Sequence, residues 1–253
     1  MKDTCFTCLG HDFTLDKIAP DGRIGLISLA TDFTIEQEIR LMLPETIGLY
    51  VNRVRNANPL TLENLRAMEK GLGGAAADIL PGLGVDVMIY ACTAGSAAIG
   101  SDRIEAILQE VCPGVTVTNP VVATRAALKA LGAERISILT PYSDALNHTL
   151  VPAIEADGAE VINIAGFGME DDIDVAGVPL ERIIAGAKAA CDPDADAVFL
   201  SCTALRGARV VERLEDELGK PVLSSNQVLA WHAMRLLGVT VDAPGFGRLF
   251  AQN

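Results

Sequence analysis

One nine-residue pattern occurs twice in this chain, about one domain apart, and it limits the folds available. Asp86-Val-Met-Ile-Tyr-Ala-Cys92-Thr-Ala94 is matched by Asp196-Ala-Val-Phe-Leu-Ser-Cys202-Thr-Ala204. In each copy a short apolar run separates an Asp from Cys-Thr-Ala. The run is too short for a helix and is bounded by Gly or acidic turn signals, so it reads as a buried, parallel strand. Each Cys then stands where a strand ends.

The repetition reaches upstream and downstream of the cysteines. Arg23-Ile-Gly-Leu-Ile-Ser-Leu-Ala-Thr-Asp32 corresponds to Arg135-Ile-Ser-Ile-Leu-Thr-Pro-Tyr-Ser-Asp144, and Val115-Thr-Val-Thr-Asn119 to Pro221-Val-Leu-Ser-Ser-Asn226. Two similar α/β halves are the economical reading. At 253 residues the chain has the length for both. Its richness in small and aliphatic residues, with only 4% aromatics, suits parallel strands covered by helices on both faces.

The fold expected is therefore α/β, with two pseudo-symmetric Rossmann-like domains and a site in the cleft between them. Residues 1–22 form an extension, 23–118 with 226–253 a first domain, and 119–225 a second. The last helix, Asn226 to Leu237, is expected to fold back onto the first half. A single helix is expected from Thr61 to Leu80, and small-residue turns after each Cys-Thr. The Gly166 to Asp172 segment reads as an acidic loop reaching over the cleft.

Several function classes are disfavoured. A formal charge of −13 opposes binding to nucleic acid or anionic membrane. Neither an apolar run of membrane-spanning length nor a signal-peptide core is visible, so a cytoplasmic protein is expected. There is no P-loop and no GxGxxG dinucleotide fingerprint. Six cysteines in such a chain are expected to be reduced thiols. Cys5, Cys8 and His11 have partial metal spacing without a second ligand pair, so no metal is expected. Cys112 and Cys191, beside turns, read as structural.

A thiol at a strand's carboxyl end and a helix's amino end meets unpaired amides and the positive end of the helix dipole. That placement is expected to lower its pKa from about 8.5 toward the roughly 3.5–7.5 of reactive thiols. If both Cys-Thr sites face one cleft, a small molecule there has a thiol on each side, with Thr93 and Thr203 available to a carboxylate. Two-base racemisation, cis-trans isomerisation by thiolate addition, and decarboxylation with one protonating thiol all fit. A ligand-binding protein without turnover is the reading from another class.

The paired Cys-Thr motifs, Ala30-Thr-Asp-Phe-Thr-Ile-Glu36, Thr140-Pro-Tyr142 and Ser224-Ser-Asn-Gln-Val-Leu-Ala-Trp-His232 together resemble the aspartate/glutamate racemase superfamily. Within it the resemblance is to the branch of maleate cis-trans isomerase, arylmalonate decarboxylase and the ectoine-utilisation protein A. It implies no cofactor, a small-carboxylate substrate and self-association. It also implies Cys92 as nucleophile or first base, Cys202 as partner acid/base and Tyr142 as a donor to the substrate. Asp32 and Asp172 stand where maleate isomerases of this pattern carry Asn. An ionised Asp accepts but cannot donate, so these positions point to a substrate with an ammonium or amide, an amino-acid derivative as in ectoine breakdown. Trp231 and His232 are expected to pack against the first half.

Overall fold

The computed structural model describes residues 6–252. Eight strands form two four-stranded parallel sheets. The first holds β1 (Gly22–Leu29), β2 (Ile47–Val54), β3 (Val87–Tyr90) and β4 (Thr116–Thr118) in the order β2-β1-β3-β4. The second holds β5 (Arg135–Thr140), β6 (Glu160–Gly166), β7 (Ala197–Leu200) and β8 (Val222–Ser224) in the order β6-β5-β7-β8. The repeated sequence is thus a repeated topology. In each half the chain leaves the inner strand for one neighbour, then returns to its other side. The carboxyl ends of β1 and β3, and of β5 and β7, flank these reversal points, where open parallel sheets bind ligands.

The motif's leading Asp acts on the fold and not on the site. Asp86 Oδ2 accepts from the Arg23 amide at 2.8 Å, and the Asp86 amide donates back to the Arg23 carbonyl at 2.9 Å. Asp196 repeats the clip on the Arg135 amide, at 2.7 Å, and the Arg135 carbonyl, at 2.6 Å. Each clip fixes the register of the two inner strands, Ile24 against Val87 and Ile136 against Ala197. Both β3 and β7 are buried along their whole length, so their apolar runs are core.

Helices cover the sheets, and their differences from expectation have local causes. The segment after Asn58 is two helices, α2 (Leu62–Ala67) and α3 (Glu69–Ala77). The break falls at Met68, whose side chain turns inward under Tyr90, its sulfur 3.8 Å from the hydroxyl. The glycine-rich α3 stops at Asp78, short of Leu80, as expected of a sequence with weak helix propensity. After Cys92 there is no turn: α4 (Thr93–Ile99) begins at once. Asp172 opens a short helix, α8 (Asp172–Ala176), capped by Asp171 accepting from the Ile173 amide at 2.8 Å.

The last long helix, α11 (Ser225–Leu236), crosses from β8 to pack on β3, β4 and α1 (Ile35–Met42) of the first sheet. Trp231 is buried there, and His232 shares a 2.8 Å hydrogen bond with the Thr118 hydroxyl. Cys5 lies outside the described residues, and Cys8 and His11 are exposed. No helix among the described residues is long and apolar enough to cross a membrane.

Candidate active site

The carboxyl ends of the inner strands meet at one small cavity. Asp32, Cys92, Thr93, Tyr142, Asp172, Cys202 and Thr203 line it together, with Leu29, Leu60, Leu65, Ala94 and Ala204 as the apolar remainder. All seven residues singled out in the sequence are therefore brought together. The cavity's free volume of about 10 Å³ is room for about one water, so it is closed to a substrate. A wider concavity of about 1690 Å³ at the opposite end of the first sheet is open and lined partly by the exposed Leu15, Ile18 and Leu83. It lies at the amino ends of the strands, away from both Cys-Thr motifs.

The two thiols are presented differently. Cys92 is the N-cap of α4, its sulfur accepting from the Gly95 amide at 3.2 Å and its backbone extended, with φ −149°. Cys202 has φ 152°, a conformation that L residues rarely adopt and that costs about 1–3 kcal/mol. Its amide donates to Ser225 Oγ at 3.0 Å, and Ser225 Oγ lies 2.9 Å from Thr93 Oγ1, tying the two motifs together. The Tyr142 hydroxyl reaches Cys202, while Tyr90 lies beside Cys92.

Electrostatics correct one expectation. Backbone amides do face both sulfurs, Gly95 of the helix after Cys92 and Ala204 and Leu205 of the turn after Cys202, yet burial, reinforced by the Asp172 charge, raises both thiol pKa values: Cys92 strongly, Cys202 to about 12. In a closed cavity, removal from water outweighs the amides. Asp32 and Asp172 are raised from their ordinary range as well, again chiefly by burial. Asp32 Oδ1 accepts from the Thr34 and Ile35 amides at 2.8 and 3.0 Å, just ahead of α1, while its buried Oδ2 has no hydrogen-bond partner among the described residues. Asp172 Oδ2 accepts from Thr31 Oγ1 at 3.0 Å and from Asn56 Nδ2 at 2.8 Å, so a carboxylate of the second half is held by the first. Among the described residues, no Lys, Arg or His lines the cavity.

Sequence reasoning missed Thr31, Asn56, Ser225 and the buried pair Glu38 and Asn226. Asn226 Nδ2 donates to Glu38 Oε2 and to the Thr203 carbonyl, both at 2.8 Å. Burial pushes the Glu38 carboxyl up to about 7. The folded state then binds a proton more tightly than the unfolded chain, so this stabilisation is present below about pH 4.5 and is lost as pH rises through about 7. Glu38→Gln is expected to remove that slope, measured as denaturation midpoints on either side of this window. An unchanged slope rules the assignment out.

Opposed thiols at equivalent strand ends of a duplicated α/β frame define the class: a cysteine-dependent enzyme of the two-domain racemase-like architecture. More particularly, the chain belongs to the arylmalonate decarboxylase family, whose model matches residues 61–250. Relatives include the maleate isomerase of Alcaligenes faecalis, 30% identical, covering 90% of this chain and 96% of that protein. The maleate isomerase of Nocardia farcinica is 28% identical, covering 91% of this chain and 96% of its own. A structure of the Nocardia farcinica enzyme, a cysteine-to-serine variant with a covalently bound succinylcysteine intermediate, superposes with a TM-score of 0.84 at 27% identity, covering 91% and 98% of the two chains. The resemblance seen in the sequence thus holds for fold and branch, and these relatives make the chain an enzyme of isomerase type.

Proposed function

We propose that the protein isomerises a small cis-unsaturated dicarboxylate of the maleate type, with Cys92 as nucleophile and Cys202 as proton donor and acceptor. The observation that carries this reading is the pair of thiols in one closed cavity, each at the end of an inner strand. Cys92 gives its proton to a buried carboxylate, Asp172 being the charge that weighs most on both thiols. Its sulfur bonds to one alkene carbon as the π pair protonates at the other from Cys202. The new single bond rotates, the Cys202 thiolate takes the proton back, and the carbon-sulfur bond breaks to leave the trans alkene.

Asp32, raised by burial, acts as a neutral acid that donates to a substrate carboxylate, as Asn would, and Asp172 becomes a second such donor once it has taken the Cys92 proton. Tyr142 and the Thr93 and Thr203 hydroxyls add donors. The covalent intermediate held by the Nocardia relative supports the order of steps. Because the cavity has room for about one water, turnover requires the contacts of Asp172 with Thr31 and Asn56, and of Leu60 with the Glu170 carbonyl, to open.

The two carboxyls in a cavity without cationic side chains favour a second reading, racemisation of an amino-acid-derived carboxylate of the ectoine-degradation kind, its ammonium paired with ionised Asp32 or Asp172. Proton NMR in D2O with maleate, aspartate, glutamate and free and N-acetylated diaminobutyrate separates the two. A fumarate singlet is expected from maleate. Loss of an α-proton signal from an amino acid, with maleate untouched, would overturn the first reading in favour of the second. Family analogy further supports self-association, which light scattering tests.

A further inference from the structure

The two halves present their cysteines through strands in matched register, so their surroundings can be compared position by position. Ile89, three residues before Cys92, pairs with Thr118; Phe199, three before Cys202, pairs with Leu223. Asn119 is therefore the counterpart of Ser224, and not of Asn226 as the sequence alignment suggests, and each caps the helix that follows it. Asn119 Oδ1 accepts from the Val121 and Val122 amides, and Ser224 Oγ from the Gln227 amide. One step further the halves part: Pro120 stands opposite Ser225 and Val121 opposite Asn226. Neither Pro120 nor Val121 has a polar side chain.

Ser225 and Asn226 spend theirs on the Cys202 turn. Ser225 Oγ accepts the Cys202 amide at 3.0 Å, and Asn226 Nδ2 donates to the Thr203 carbonyl at 2.8 Å. Both residues are fully buried, and Asn226 is itself braced by Glu38. The two bonds grip the backbone on either side of the one strained residue of the pair, Cys202 at φ 152°. Cys92, in an extended conformation that any residue adopts, is held from its own helix, by the Ser96 hydroxyl on its carbonyl at 2.7 Å, and Ser225 meets its motif only through the Thr93 hydroxyl at 2.9 Å.

We infer that Ser225 and Asn226 are positioning residues that hold the Cys202-Thr203 backbone in its strained form, so that the Cys202 thiol faces the cavity while Cys92 needs only its helix. This rests on the reading that Cys202 takes part in turnover. A buried amide left without its acceptor is costly, and the strained backbone supplies a route to relieve it: rotation of Cys202 away from the cavity. The two thiols are then unequal by construction, one placed by local helix geometry and the other by a clamp from the helix that crosses between halves.

The test is Ser225→Ala in the full-length enzyme, alone and in a Cys202→Ser background, with the labelling rate of each cysteine followed by peptide-resolved mass spectrometry using iodoacetamide. The expected result is a kcat lowered by about tenfold to a hundredfold. KM should stay close to the wild-type value, the Cys202 labelling rate should change and that of Cys92 should not, and Cys202→Ser activity should fall no further. An equal additional loss in the Cys202→Ser background, or parallel changes at both thiols, would mean general loosening and overturn the inference. So would wild-type kcat with unaltered Cys202 labelling. Ser225→Cys, similar in shape but a weak acceptor, should show the same pattern with smaller amplitude if the alanine variant fails to fold. If Cys202→Ser by itself retains normal turnover, the two-thiol reading is lost, and the labelling comparison still decides whether the clamp places the thiol.

Discussion

Cys92→Ser is expected to abolish measurable turnover, and Cys202→Ser to lower it by about 10²–10⁴-fold, the usual worth of a positioned proton donor. The two losses have different causes, and this makes them separable. Serine at 92 keeps the shape and the Gly95 contact but replaces sulfur with a far poorer nucleophile toward an alkene, so no covalent adduct forms. Serine at 202 leaves the nucleophile intact and removes the group that exchanges a proton with the adduct. Intact-protein mass spectrometry after mixing with substrate should therefore find one substrate mass on Cys202→Ser and none on Cys92→Ser. Both variants should melt close to the parent, because a hydroxyl in place of a thiol changes little volume in a cavity lined with polar groups. Near-normal turnover in either variant would sink the two-thiol mechanism.

The raised thiols bear on the same experiment. A neutral Cys92 must be deprotonated within the cavity, and the groups able to accept its proton there are carboxylates, since no imidazole or amine lines it. Transfer from Cys92 to a carboxylate separates no net charge from the cavity as a whole. It also turns the recipient into the neutral donor that a substrate carboxylate needs. The absence of a basic residue among the lining side chains is then consistent with the chemistry and not an obstacle to it.

The frame was readable in the sequence because the features that carry it are local and repeated. An Asp, a four-residue apolar strand and a Cys at fixed spacing suffice to predict a strand delivering a thiol, and the Asp proves to be the register clip. Thr93 and Thr203 followed from the same motif, whereas Asp32, Tyr142 and Asp172 came from the family resemblance. The thiol pKa values were misjudged because the helix amides are adjacent in sequence whereas the burial comes from Leu60, Leu65 and Asp172, far along the chain. The Ser225 clamp was hidden for a related reason. Ser224-Ser-Asn reads as an ordinary capping signal, and only the observed backbone of Cys202 reveals that two of its side chains are turned outward from their own helix. Asn56 had no sequence signal beyond its place just past the end of β2.

Asp32→Asn is expected to preserve or raise kcat/KM toward a dicarboxylate, above all at alkaline pH, whereas Asp172→Asn, which removes the acceptor of the Cys92 proton, is expected to lower it. The geometry makes the substitution mild. At position 32 the amide oxygen can keep the Thr34 and Ile35 amides, since Asn caps as well as Asp, and its nitrogen then points where the unpartnered Oδ2 stood. At 172 the oxygen can keep Thr31 and Asn56. In the wild type Asp32 donates only while protonated. Because burial raises its pKa, the donor form persists to higher pH than for an exposed Asp and is lost as pH rises through the raised value. Above that point kcat/KM should fall by about tenfold per pH unit, and Asp32→Asn should remove that step from the profile. With an amine substrate the sign reverses: ionised carboxylates pair with the ammonium, activity toward it rises with pH, and Asp→Asn removes a charge-assisted hydrogen bond worth about 1.5–3 kcal/mol, roughly a tenfold to 150-fold loss. The pH profiles of kcat/KM for wild type and both variants thus decide the substrate's charge from the protein's side. A loss of that size toward maleate at every pH in Asp32→Asn would show that Asp32 is needed as a carboxylate and would remove the dicarboxylate reading.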